Sequence, residues 1–448
     1  MLKRLCLSAL VCISTSALSA DCSSELMAQQ ADMATWVAKA AFREAINQGP
    51  LWVEATPEMA FSDYLRAATA IITARNPRGQ LPCAVTTPVV TILQQQGQLP
   101  DVPTLAQLQS PFELQRPNSE KVALLLHGLT DSPFSYHYLA AHFWQLGYQV
   151  RSVLLPGHAT APSDLSQVTL AQWQHTTHYA LERAKADFKS VVVVGYSTGA
   201  ALAIAEVNRA PQQIKAMLLL SPASEAHNKH GWLAKWIAML PGITWLDADA
   251  DLDVFKYESF PWQGAALAYQ AMQTVTPKQL QNTSDVPIFA ALSEVDSTID
   301  SQATLGLLRH WHQLPSRRTS KLDTLVWYGD MQTAQRQLPS DFNFISPPCN
   351  SSWCDKIKGM SHIGIIQPVN HSYYGAQATY RSCGGYLSDL TQYQKCKTAP
   401  ETTFGERTPQ HMQDYFPLQR LTFNPSYPQL LENISVFLGD VDKHHAAR

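Results

Sequence analysis

Past its first twenty positions, this 448-residue chain has no run of the roughly twenty apolar residues that a bilayer-spanning helix requires. A basic excess is also missing. Lys and Arg number 33 against 36 Asp and Glu, and without Lys3 and Arg4 the formal charge moves from −3 to −5 (−3 − 2), since residues 1–20 hold no acid. A mildly acidic surface speaks against nucleic acid or an anionic membrane as the main partner. No CxxC pair occurs among the eight cysteines, which disfavours a zinc site. Nor is there an internal repeat or low-complexity tract, which excludes solenoid and disordered architectures.

What is present begins with an export signal. Lys3 and Arg4 form a positive n-region, Leu5 to Ala17 an apolar core, and Ala17-Leu18-Ser19-Ala20 a small-x-small cleavage site. Cys22 follows Asp21 and not the small residue that a lipid-attachment cysteine needs. The expectation is a soluble exported protein, periplasmic or secreted, without a stable membrane anchor. Six cysteines remain after cleavage, an even number that favours disulfides in such a compartment. Six allow about fifteen pairings. Pairing nearest neighbours gives Cys349–Cys354 and Cys383–Cys396, leaving Cys22–Cys83 to staple the N-terminal region.

Four regions follow from the patterning: a signal peptide (1–20), a helical N-terminal extension (21–111), a core in two parts (112–223 and 286–448) and an insertion between them (224–285). In the extension, Ser24 to Ile46 and Pro57 to Arg75 carry apolar residues at helical intervals. From Phe112 onward short apolar strands alternate with amphipathic helices. Strands are expected at Lys121–His127, Tyr148–Leu155, Ser190–Tyr196, Ala216–Ser221, Val286–Leu292 and Thr324–Tyr328, with Phe112–Arg116 as a further edge. Helices are expected at Pro133–Leu146, Leu170–Phe188, Thr198–Arg209 and Ser301–His312. Apolar strands with helical crossovers predict an α/β fold with a mostly parallel sheet covered on both faces. The insertion holds Trp232, Trp236 and Trp245, expected to pack it onto its host, and the acidic run Asp247 to Asp253. That run resembles a calcium loop in its spacing, but Leu252 stands where the sharp turn needs glycine, so a solvated acidic loop is expected.

The chemistry centres on Gly195-Tyr196-Ser197-Thr198-Gly199, placed directly after Val191-Val192-Val193-Val194 and before a helix-forming stretch. A strand–Gly-x-Ser-x-Gly–helix sequence is what a nucleophile elbow requires, with the serine hydroxyl pushed out above the sheet edge. Acyl transfer then needs a base, a group to orient it and donors for the oxyanion. Asp296, directly after the strand ending near Leu292, is the preferred acid, with Asp300 and Asp330 as competitors. His362, in Gly359-Met360-Ser361-His362, is the preferred base, with His371 as its rival. The amides of Thr198 and Leu129 are the expected oxyanion donors, Leu129 following Gly128 at the end of the first core strand, where His127 braces the loop. His310 and His312 lie two apart on a helix and face different ways.

Three ordered motifs then coincide: His127-Gly128-Leu129-Thr130-Asp131-Ser132-Pro133, Leu155-Pro156-Gly157-His158, and Gly-Tyr-Ser-Thr-Gly. Over residues 112–370 the chain resembles the α/β-hydrolase superfamily, in its branch of monoacylglycerol-lipase-like carboxylesterases and serine aminopeptidase-like members. The resemblance implies an α/β-hydrolase fold with a cap inserted over the site, the chain order Ser, acid, His, and a structural role for the Pro156-Gly157-His158 loop. Ala200 departs from the family's second glycine and should crowd the helix start. The expected function is an exported serine hydrolase acting on small-molecule or lipid-like esters, with no cofactor or metal. The alternatives are a serine peptidase and a catalytically silent binding protein. The sequence sets no oligomeric state.

Overall fold

The computed structural model describes residues 22, 40, 42–280, 285–399 and 402–446. The signal peptide and most of the helix expected from Ser24 to Ile46 lie outside them; the described end, 42–46, forms turns and bends.

Residues rich in Val and Leu build an eight-stranded sheet: β1 (Glu113–Leu114), β2 (Lys121–Leu126), β3 (Gln149–Val153), β4 (Ser190–Tyr196), β5 (Ile214–Leu220), β6 (Ile288–Ser293), β7 (Thr324–Tyr328) and β8 (Asn343–Ile345). Their spatial order is β1-β3-β2-β4-β5-β6-β7-β8, and all neighbours run parallel except β1, which closes one edge antiparallel. This is the mostly parallel, two-sided α/β sheet expected from the patterning, and the α/β-hydrolase fold that the resemblance implies. β8 was not expected, because Asn343-Phe344-Ile345 is too short to stand out as an apolar run.

Successive side chains on a strand point to opposite faces, so each strand feeds two cores. On one face Val122, Leu124, Val191, Val193, Met217 and Leu219 pack against helices. These include α1 (Phe61–Arg75), α4 (Leu170–Asp187), α5 (Thr198–Arg209) and α7 (Ser301–His312). On the other, Ala123, Leu125, Val192, Val194, Leu218 and Leu220 pack against α2 (Pro88–Gln95), α3 (His137–Gln145) and the terminal helix α8 (Tyr427–Ala446). Helix α6 (Trp262–Gln273) lies in the excursion between β5 and β6. Side-chain caps define several starts: Thr169 and Gln172 make a capping box for α4, and the Asp300 carboxylate accepts the Ala303 amide at α7.

Segments before and after the sheet are tied to it. Arg75 of α1 makes a buried two-pronged ion pair with Asp164, in the loop after β3 (2.8 and 2.6 Å). After residue 356 the chain adds a second, three-stranded parallel sheet from Ile357–Lys358, Thr403–Gly405 and Leu418–Arg420. Cys22–Cys83, Cys349–Cys354 and Cys383–Cys396 are disulfides, the nearest-neighbour pairing.

Candidate active site

In a parallel sheet of this kind the loops at the carboxyl ends of the strands meet along one edge. β4 ends there at Tyr196, and Ser197 follows with φ 52° and ψ −118°, a conformation that costs a residue with a Cβ free energy. Strand and helix approach so closely that the flanking glycines are obligatory. A Cβ on Gly199 would lie 2.1 Å from the Leu126 carbonyl oxygen and 2.4 Å from that of His127; one on Gly195 would lie 2.4 Å from the Ala200 Cα. Ala200 is thereby accommodated, fully buried against Gly195.

Two further loops bring partners to Ser197. His362 Nε2 is 2.9 Å from Ser197 Oγ, and His362 Nδ1 is 2.7 Å from Asp296 Oδ2. The other oxygen of Asp296 accepts the amides of Thr298 and Ile299 (2.8 and 3.0 Å), which fixes the carboxylate just past β6. With a carboxylate at Nδ1, that nitrogen carries the proton and Nε2 is left to accept from the serine. All three side chains are buried. Tyr196 and Ser221 donate their hydroxyls to the His362 carbonyl (3.2 and 3.4 Å), pinning its backbone over the elbow.

The loop after β2 forms the facing wall. His127 accepts the Leu155 amide at Nε2 (3.0 Å) and so donates from Nδ1 to the Gly128 carbonyl (2.8 Å), bridging the β2 and β3 loops as a neutral ring. Burial, reinforced by nearby His158, holds it far below the usual imidazole range. His158 is likewise pushed down to about 4 by burial, its Nδ1 facing the Leu155 and Pro156 carbonyls. Leu129 and Thr198 line the same cavity as Ser197 and His362. Among the described residues neither amide has a hydrogen-bond acceptor, as expected for Thr198 in the first turn of α5.

The cavity encloses about 500 Å³. Its lining includes the apolar Leu233, Ile237, Leu246, Phe260 and Met272 together with the polar Asp247, Lys256, Tyr380 and Arg407. A family model described as the alpha/beta hydrolase family matches residues 123–364, more than half of the chain. The chain belongs to the alpha/beta hydrolase family. None of the curated proteins matches it. Among solved structures it is similar to a monoacylglycerol lipase of Paleococcus ferrophilus (14% identity, 49% of this chain and 88% of that one, TM-score 0.38). It is also similar to a thermostable carboxyl esterase from Bacillus coagulans (11%, 49% and 84%, TM-score 0.40). A third likeness is to a structure of the metagenome-derived lipolytic enzymes LipS and LipT (18%, 49% and 86%, TM-score 0.41).

The competing acids and base of this hydrolase sit elsewhere. Asp300 caps α7 and pairs with Lys229, and Asp330 caps the helix Met331–Gln335. His371 accepts the amides of Tyr373 and Tyr374 at Nδ1 (3.0 and 3.1 Å), and burial depresses it to about 3. His312 bridges Asp323 and Asp341 away from the site. Two expectations fail. The acidic loop is not solvated: Asp249, Asp251 and Asp253 are buried, accepting hydrogen bonds from Tyr393, Ser259 and Tyr374. Burial raises Asp249 and Asp253 to about 7. The sequence offered no warning, because the tyrosines that cover the loop, Tyr374 and Tyr393, lie 121 and 144 residues away from the aspartates they meet. Nor do the tryptophans simply pack the insertion down. Trp236 is 60% exposed and Met239 70%, since the helix Ala234–Ile237 is a single turn that buries only Ala234. Trp245 is half-buried under the Arg43 guanidinium.

Glu406 and Arg420 were not foreseen. Glu406 Oε2 accepts the His362 amide (2.9 Å) and both its oxygens accept from Arg420, whose Nη2 also donates to Thr298 Oγ1 (2.7 Å). Burial alone would raise the Glu406 carboxyl; Arg420 and the two backbone amides overcome it and hold it at about 2. The pair thus links the His362 loop to the Asp296 loop. Both residues lie beyond residue 364, in a segment without any motif that sequence reading can use.

Proposed function

We propose that this hydrolase is an exported carboxylesterase or lipase-like enzyme that works through an acyl-enzyme. The supporting observation is the continuous chain Ser197–His362–Asp296 at the wall of a largely apolar cavity. Ser197 Oγ attacks the ester carbonyl while His362 Nε2 takes its proton, and Asp296 stabilises the resulting imidazolium. The amides of Leu129 and Thr198 receive the oxyanion. His362 then protonates the departing alcohol, leaving Ser197 acylated. Water, deprotonated by His362, releases the acid and restores the serine. In this reading residues 224–285 act as a cap on a core formed by 112–223 and 286–448, with 21–111 as a helical extension and 1–20 as a signal peptide. The three disulfides support export, because they persist in oxidising compartments.

The peptidase alternative needs a free acid to hold a substrate amine. Asp249, Asp253 and Glu258 are taken up by Tyr393, Tyr374 and Tyr380, and Asp247, which lines the cavity, is the acid left to hold one. The test is labelling of wild type and Ser197→Ala with a fluorophosphonate probe, followed by p-nitrophenyl acyl esters set against aminoacyl-nitroanilides. Labelling of wild type alone, with ester turnover, is expected. An unlabelled wild type would favour a silent binding protein, and faster nitroanilide cleavage a peptidase.

A further inference from the structure

We infer that Arg407 forms an anion-binding subsite in the cavity, selecting esters that carry a carboxylate or phosphate group away from the scissile bond. The inference rests on the ester hydrolysis proposed above and adds the chemical class of the substrate.

Arg407 lies on the cavity wall. Its side chain is exposed to water where it borders the cavity. Among the described residues its guanidinium makes no hydrogen bond and no ion pair, only its backbone amide being engaged. Three buried arginines behave differently. Arg75 holds Asp164, Arg151 holds Glu113 and Asp187, and Arg420 holds Glu406. The neighbouring charge of Arg420 together with burial pushes Arg407 below the usual guanidinium range, against the opposing pull of Glu406 and Asp247.

The protein's own carboxylates do not fill the place. Glu406 is neutralised by Arg420, Glu258 is bonded to Tyr380 and faces Lys397, and Asp249 and Asp253 are held by tyrosines. Asp247 acts on Arg407 through space but makes no ion pair with it. Space beside the guanidinium is kept open by Gly384, where a Cβ would stand 3.3 Å from Arg407 Nη1. The subsite is also close to the chemistry. One carboxylate, Glu406, accepts the Arg407 amide (2.8 Å) and the His362 amide (2.9 Å). Arg407 and Ser197 line one cavity, so an ester bound at the serine can present an anionic group to the guanidinium. The fork of a guanidinium matches carboxylate and phosphate oxygens in pairs, which an ammonium does not. Arg407 falls beyond the residues matched to the family, so this selectivity belongs to the chain's C-terminal segment.

Matched substrates test it. The mono-p-nitrophenyl ester of glutaric acid against p-nitrophenyl butyrate places the anion on the acyl side; an acylglycerol phosphate against the monoacylglycerol places it on the alcohol side. In at least one pair wild type should prefer the anionic member by about tenfold or more in kcat/KM. Arg407→Gln should collapse that ratio toward one, mainly through KM, with Arg407→Lys in between. The pair that responds identifies the source of the anion. Calorimetric binding of glutarate and of glycerol 3-phosphate to wild type and Arg407→Gln needs no turnover, and so separates failure of the subsite from failure of the esterase reading. A preference that survives Arg407→Gln, or equal treatment of both members in both pairs together with no anion binding to wild type, would overturn the proposal.

Discussion

Ser197 sits in a backbone conformation that its neighbours enforce, so removing its hydroxyl should leave the fold intact and the chemistry gone. Ser197→Ala is expected to lose about 10⁴-fold or more in ester turnover, with an unchanged circular-dichroism melt. Gly199→Ala should behave in the opposite way. Its Cβ would overlap two backbone carbonyl oxygens that cannot retreat without breaking the junction of β2 and α5, so a loss above about 4 kcal/mol or insoluble protein is expected. Asp253 provides a pH signature. Its carboxyl titrates near 7 when folded against 3.8 when free, so between those values the folded chain holds a proton that the unfolded chain has released. Stability must then fall as pH rises through this window, by at most about 1.4 kcal/mol per pH unit for this group. Asp253→Asn should flatten the curve, as read by urea unfolding at pH 4.5, 5.5 and 6.5.

At the scale of elements, legibility followed apolar patterning. β4, α5, α7 and β7 fall where the runs of Val, Leu and Ala place them, to the residue, because a strand buried on both faces has to be apolar throughout. The same logic placed Ser197, Asp296 and His362, each of which follows or lies beyond a readable strand. Elements too short to show as apolar runs, and contacts between distant polar residues, were invisible: β8, the small parallel sheet after residue 356, and the Glu406–Arg420 pair that the sheet carries. No local signal marks Glu406, since its partners are 44 residues back and 14 ahead. Its importance is testable. Glu406→Gln leaves Arg420 buried without full compensation, which should cost about 3–5 kcal/mol in chemical denaturation. Loosening of the His362 loop should lower kcat by about 10- to 100-fold.

For the whole molecule, the disulfides set how far the ends stay docked. Loop-closure arguments give roughly 4 kcal/mol for Cys22–Cys83, which spans 61 residues, and about 3 kcal/mol for Cys383–Cys396, which spans 13. Reduction should therefore lower the unfolding midpoint. The Cys383→Ser/Cys396→Ser double variant should in addition weaken selectivity for anionic esters, because that bridge holds the segment facing Arg407. The carboxylate gripping the His362 amide arrives from position 406, and its guanidinium partner from 420. A polypeptide still being made on the ribosome has a nucleophile, an acid and an imidazole long before it has the clasp that seats them. The grip on the His362 loop is therefore complete only once synthesis has passed residue 420, 58 residues (420 − 362) beyond the imidazole it seats.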